Sequence, residues 1–501
     1  VEKKMLLFLL FTAVAAGLFY ELYWKRRNFP PGPLPVPLIG NIIPMLRDGP
    51  GLNSLREWKE QYGAVYTYWI GAQAIVTVND WETIKEAFIK EGDAYSDRHH
   101  FGQLNELFRD GNYGVIDASG QVWLEQRRFA LHTLRDFGLG KAAMQDRVLA
   151  EASHMLQMFE DNAKRGAFKI SDLIDRTVGS VINSTIFGYR FDETNVSEFF
   201  ELRDLLNKQT RAFSDPLTMV AFSVPILCKI PFFGNRLQVF RDVKDAVFEF
   251  FAKQIKNHEA DIDFDSEGSS DFCEAYLKEM RAREGEEDTT FHRKQLENVC
   301  FDLWLAGLET TASTLAWAVV HLIHNPDVQS RAHDELDRVI GSSRLVDLED
   351  RSRLLYINAI INETQRCANI IPQNLLRKTG REVVVAGHRI EKGTPICPQI
   401  SLMLYDEKLF PNPARFNPGN FVDAAGNPRK IEQFMPFSVG KRACPGEGLA
   451  RVELYLFLAN LLNRFEILPE EPNKLPSTRQ ALFSGTKPEA FQCQLRPRNS
   501  A

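Results

Sequence analysis

The chain has 501 residues, of which 44% are hydrophobic, 25% charged and 11% aromatic. Those proportions exclude a disordered, collagen-like or low-complexity protein. With 60 Lys+Arg against 66 Asp+Glu the net charge is −6, so no basic field is available to wrap a nucleic acid. Seven cysteines (Cys228, Cys273, Cys300, Cys367, Cys397, Cys444 and Cys493) are odd in number, widely spaced and free of any CxxC pair. They make no disulfide framework and suit a reducing compartment.

Met5 to Tyr20 reads MLLFLLFTAVAAGLFY, without a charge. Extended to Trp24 it predicts a helix of about 20 residues, enough for a ~30 Å hydrocarbon core. Tyr20, Tyr23 and Trp24 gather at its end, as aromatics do at a membrane interface, and Lys25, Arg26 and Arg27 follow. No small-residue cleavage site follows the apolar stretch, so 1–27 reads as an uncleaved signal anchor. The basic cluster behind the helix outnumbers Lys3 and Lys4 ahead of it, which favours a cytosolic body. Five prolines then fall among the eight residues Pro30 to Pro37. Proline fixes φ and lacks an N–H, so 28–41 is a stiff, extended hinge between anchor and body.

The remainder, 42–501, reads as one large domain. No Gly/Ser/Pro linker or charge block divides it, and the polar run Asp261–Glu287 reads as a long surface loop. Helical apolar spacing marks Val148–Gly166, Ser197–Ala212, Leu237–His258, Gln295–His324, Asp327–Val339, Tyr356–Ala368 and Leu449–Phe465. Short β-rich runs pair Val65–Ile70 with Ala74–Val78 and Glu382–Val385 with His388–Ile390; Pro395–Ile400 is another. The expected fold is mainly α with small β-sheets at one side. Phe213–Phe233 is apolar but broken by Pro216, Pro225 and Pro231, which excludes a membrane span and suits a loop at the membrane surface.

The sharpest chemical signal is Phe437-Ser-Val-Gly440-Lys-Arg442-Ala-Cys444-Pro-Gly446. Pro445 suits the first turn of the helix that follows. A helix N-terminus offers unpaired N–H groups and a positive dipole end, both favouring a thiolate at Cys444. Gly440 and Gly446 allow tight turns and close approach to a flat ligand. This spacing resembles the haem-binding loop of the cytochrome P-450 superfamily, where a cysteine thiolate is the axial ligand of the iron. Other segments match the family in chain order. Glu363 and Arg366, three apart on a helix, with Arg415 resemble its Glu–Arg–Arg cluster behind the haem. Trp123 and Arg127 resemble the pair that reaches a haem propionate, and Arg98 and Arg377 fall at two further cationic positions. His99 stands where many relatives have proline.

In Ala306-Gly307-Leu308-Glu309-Thr310-Thr311, Glu309 is the only charge between Leu303 and Val320. A plain reading makes Glu309 solvent-facing and bonds Thr310 back to a carbonyl. The resemblance instead implies an oxygen-activating helix opened at Gly307, with Glu309 and Thr310 supplying protons. It further implies haem b on Cys444, with Arg98, Trp123, Arg127, Ala306, Arg377, Phe437, Arg442 and Gly446 around it. The implied enzyme is a membrane-bound monooxygenase of the endoplasmic reticulum. It would take O2, a lipophilic substrate, and electrons from an NADPH-dependent flavoprotein reductase and a cytochrome b-type donor. Phe101, Phe108, Leu305, Ala306, Ile370 and Phe483 would line its pocket, with Gln373 and Asn374 as polar anchors. Two alternatives stay open: a haem-thiolate isomerase or dehydratase acting on peroxides, and a non-catalytic haem carrier or sensor. Neither has a use for Glu309 and Thr310 as a proton route.

Overall fold

The computed structural model describes residues 2–37, 39–47, 51–101, 104–137, 142–215, 217–218, 229–341, 344–479 and 487–498. Glu2–Leu22 is a helix of 21 residues, about 32 Å long at 1.5 Å per residue. Its apolar side chains are exposed along its length, Leu6 by 70% and Phe11 by 73%. A second helix, Arg293–His324, is also long and apolar enough to cross a membrane, but most of it is buried in protein. It is the central helix of the core, 32 residues long. His292 caps its start by accepting from the Gln295 N–H at 3.3 Å. Pro326 ends it, because the residue before proline is pushed out of the helical region, here Asn325 at φ −131° and ψ 72°.

Around it pack Ala142–Ala163, Ile170–Phe187, Val196–Ser214, Pro231–Asp261, Leu355–Ala368 and Glu447–Arg464, sharing one apolar core. Gly307 sets one of these contacts. A Cβ there would lie 2.4 Å from Ile182 Cδ1, so the missing side chain lets Ile170–Phe187 approach the central helix. The central helix runs unbroken through Gly307, and packing is the visible reason for the glycine. Gly307→Val should therefore lower the melting temperature, and an unshifted melt would show that Ile182 yields freely.

A five-stranded sheet has the order β1-β2-β7-β4-β3, formed by Val65–Ile70, Gln73–Val78, Pro395–Pro398, Arg377–Lys378 and Asp97–Arg98. It covers a second apolar cluster containing Tyr66, Ile75, Phe88 and Ile396. Among the described residues two further antiparallel pairs form: β5 (Val383–Val385) with β6 (His388–Ile390), and β8 (Phe465–Pro469) with β9 (Cys493–Pro497).

Several expectations shift. Pro395–Ile400 divides into a strand ending at Pro398 and a helix Ile400–Leu404. The polar run Asp261–Glu287 is not all loop, because Phe272–Ala282 is helical. Asp271 caps that helix by accepting from the Glu274 N–H, and Phe272, Cys273, Tyr276 and Leu277 turn one apolar face inward. Pro231, read as a helix breaker, is the first residue of Pro231–Asp261. The rest of the Phe213–Phe233 expectation rests on 216 and 219–228, outside the described residues.

Candidate active site

The cysteine loop reaches its place through backbone geometry. Gly440 has φ +67°, and a Cβ there would lie 1.9 Å from the Phe88 carbonyl oxygen, so only glycine lets the loop lie against that turn. The Cys444 N–H donates to the Phe437 carbonyl at 2.8 Å, closing the loop, and Arg451 stacks over the Phe437 ring at 4.8 Å. The helix Glu447–Arg464 begins with Gly446 as its cap, so Pro445 stands just outside it. Gly446 has an ordinary φ of −91°, contrary to a tight-turn role. Its Cβ would sit 4.0 Å from Cys444 Sγ, so glycine keeps the space beside the sulfur clear.

Cys444 is solvent-accessible, although Arg442 and Leu449 on either side are buried. Desolvation by the neighbouring protein atoms and the Glu447 carboxylate push its thiol up, while the N–H groups of Gly446 and Glu447 and the Arg127 cation pull the other way. On the central helix Ala306 and Thr310, one turn apart, are likewise partly open while Leu308 and Thr311 are sealed. The Thr310 hydroxyl donates to the Ala306 carbonyl at 2.6 Å, as the plain reading has it. Glu309 does not face solvent: it pairs with Lys487 at 3.4 Å.

Four arginines from distant parts of the chain converge beside the loop. Arg98 and Arg377 are register partners on β3 and β4. The Ile116 carbonyl accepts from both Arg98 Nε at 3.0 Å and Arg442 Nη1 at 3.2 Å. Arg442 also lies 3.9 Å over the Trp123 ring, and Arg127 donates to the Ala443 carbonyl at 2.5 Å. Among the described residues none of the four makes an ion pair. Burial, then repulsion from Arg98, pushes Arg377 down to about 9. Burial, then Arg98, Arg377 and Arg127, pushes Arg442 down to about 8. Trp123 Nε1 and Arg377 Nη1 are buried donors with no acceptor among the described residues.

Sequence reasoning missed what holds this cluster. Asp302 is fully buried and bonds Arg109 at 2.5 Å and the N–H groups of Val115 and Ile116 at 2.7 and 2.9 Å. It thereby fixes the loop whose carbonyls receive Arg98 and Arg442. The Glu363–Arg366 pair is bidentate at 2.7 and 2.8 Å and wholly buried. Arg415 joins it by its carbonyl, 3.2 Å from Arg366 Nη2, with its own side chain exposed. The third member of that cluster therefore acts through backbone.

The pocket residues divide. Phe101, Leu305, Ala306 and Ile370 are half-buried. Phe108 is core, with Phe213, Phe240, Phe248 and Phe301 within 5.0–5.8 Å. Asn374 donates to Gln399 at 3.2 Å, and Phe483 lies outside the described residues. The His99 N–H joins the strand pair through the Leu376 carbonyl at 3.4 Å, and burial pushes its ring down to about 4, so it is neutral.

The family model described as Cytochrome P450 matches residues 30–494. Cytochrome P450 2A9 of Mesocricetus auratus is 34% identical over 473 residues, 93% of this chain and 92% of that protein. Cytochrome P450 2H2 of Gallus gallus is 35% identical, with 92% of each chain covered. Cytochrome P450 2C16 of Oryctolagus cuniculus is 35% identical, with 94% and 95% covered. The chain belongs to the cytochrome P450 family. Its class is the eukaryotic microsomal, membrane-bound one, whose members are haem b monooxygenases with an axial cysteine thiolate. The residues present fit that group: an accessible thiol at a helix N-terminus for the iron, and unneutralised buried cations with two orphaned donors for its two carboxylates.

Proposed function

We propose that a lipophilic substrate is oxygenated in the cleft fronted by Cys444 and the Ala306–Thr310 face. Cys444 would hold the haem iron. Arg98, Trp123, Arg127, Arg377 and Arg442 would hold the propionates, with Phe437, Gly446 and Ala306 against the ring. The observation carrying this reading is the four-arginine cluster beside an accessible thiol, with Trp123 Nε1 and Arg377 Nη1 unpartnered. When bound, the haem supplies activation of O2 and transfer of one oxygen atom to carbon.

The chain's own residues supply position and protons. The apolar wall from Phe101, Leu305, Ala306 and Ile370 selects lipophilic molecules and excludes water. Glu309 delivers protons, and the Thr310 hydroxyl, released from the Ala306 carbonyl, passes them on. The electron donors of this reading are an NADPH-dependent flavoprotein reductase and a cytochrome b-type protein. Residues 1–27 anchor the enzyme in the endoplasmic reticulum, 28–41 form the hinge, and 42–501 form the catalytic domain on the cytosolic side.

The test is turnover with purified reductase, NADPH and a panel of lipophilic compounds. Thr310→Ala is expected to consume NADPH while diverting electrons from product to peroxide. An unchanged product yield per NADPH would remove Thr310 from proton delivery. Conversion of a peroxide substrate without reductase would favour the isomerase reading.

A further inference from the structure

Glu309 is not the isolated carboxyl its apolar helix suggests. Lys487 Nζ lies 3.4 Å from Glu309 Oε1 and 3.2 Å from Asp175 Oδ2. These charges come from three elements: the central helix, the helix Ile170–Phe187, and the chain immediately after 480–486. Arg203 lies 3.7 Å from Asp175 and 3.0 Å from Asp172, and Asp172 also meets Lys169 at 2.9 Å. Lys169 and Asp172 reach solvent, so a continuous run of charged groups leads from Glu309 to the surface. Glu309, Asp175, Lys487 and Arg203 balance two against two, which is the condition for burying them. Lys487 already holds two carboxylates, which argues against its serving as an anchor for a substrate acid.

Resting on the reading that Glu309 delivers protons, we propose that Lys487 is its positioning residue. Lys487 orients the Glu309 carboxylate toward Asp175 and sets the pH range over which it can give and regain a proton. An ammonium on a flexible stem suits this role, because its three donors can serve two carboxylates at once. The groups facing Glu309 act in opposed directions: burial raises its pKa, Lys487 lowers it, Asp175 raises it and Arg203 lowers it. Removing Lys487 therefore moves Glu309 titration to higher pH, and removing the Asp175 charge moves it lower.

The test is an infrared pH titration of the carboxyl band in the ferric protein, with Glu309→Gln identifying the band. Lys487→Met is expected to raise its midpoint by about 1–3 units, as loss of a close opposite charge does. Lys487→Arg should stay near wild type, and Asp175→Asn should shift the midpoint the other way. The pH profile of product formed per NADPH should move upward with Lys487→Met. A midpoint identical in wild type and Lys487→Met overturns the proposal, as does a downward one. If Lys487→Met does not fold, the sign of the Asp175→Asn shift decides. Wild-type coupling in Glu309→Gln would overturn the proton-delivery reading, while the infrared titration would still report whether Lys487 controls Glu309.

Discussion

Replacing Cys444 with serine is expected to abolish monooxygenase activity and to remove the strongly red-shifted Soret band of the carbon monoxide adduct, while leaving the fold intact. Desolvation and the Glu447 carboxylate raise the thiol overall, and against them the N–H groups of Gly446 and Glu447 and the nearby Arg127 guanidinium favour the anion that would bind iron. A serine hydroxyl in the same place gains from the same groups. Its intrinsic acidity is far weaker than a thiol's, so it stays protonated and donates little electron density. The substitution removes one atom's chemistry without changing the loop, which is fixed by Gly440 against Phe88 and by the Cys444 N–H bond to Phe437. Haem binding through the arginine cluster should persist in part, so the variant should show a band at an ordinary position. A red-shifted band in Cys444→Ser would place the ligand elsewhere.

The second large effect is on stability. Arg366→Ala leaves Glu363 fully buried and stripped of its bidentate partner, with the Asn417 N–H at 2.7 Å, Asn420 at 3.2 Å and the Cys367 thiol at 3.8 Å. It also frees the carbonyls of Leu404, Pro413 and Arg415, to which Arg366 donates at 3.0, 2.8 and 3.2 Å. Breaking one partner of a buried pair costs about 3–5 kcal/mol. The helix Leu355–Ala368 would then lose its tie to the segment leading into the cysteine loop. The expected outcome is poor haem retention and a clearly lowered melting temperature, and Arg366→Lys should rescue little, because a point charge cannot replace a planar fork. Wild-type melting in Arg366→Ala would show that this pair does not hold the segment.

What was legible in the sequence follows from the range of the interactions involved. Asp327–Val339 and Tyr356–Ala368 differ from the observed helices by one residue at their starts, because apolar periodicity is local. The cysteine loop was legible for the same reason: glycine, arginine and cysteine act within ten residues of one another. Gly120–Asp136 and Ile170–Phe187 escaped notice as helices, the first because polar residues cover much of it and the second because most of its faces are buried. Strand β9 has no meaning until β8 is beside it. The site's supports are longer-range still. Nothing near Asp302 announces Arg109, and Lys487 stands 312 positions from Asp175. Gly307 was legible as unusual but not in its cause, which is Ile182 on a neighbouring helix.

The most direct test of the central claim, that Cys444 is the thiolate ligand of a haem, is the carbon monoxide difference spectrum of the reduced, membrane-expressed protein. The account predicts a strongly red-shifted Soret band. A band at the ordinary position would mean a neutral ligand and would contradict it, as would the absence of any haem band.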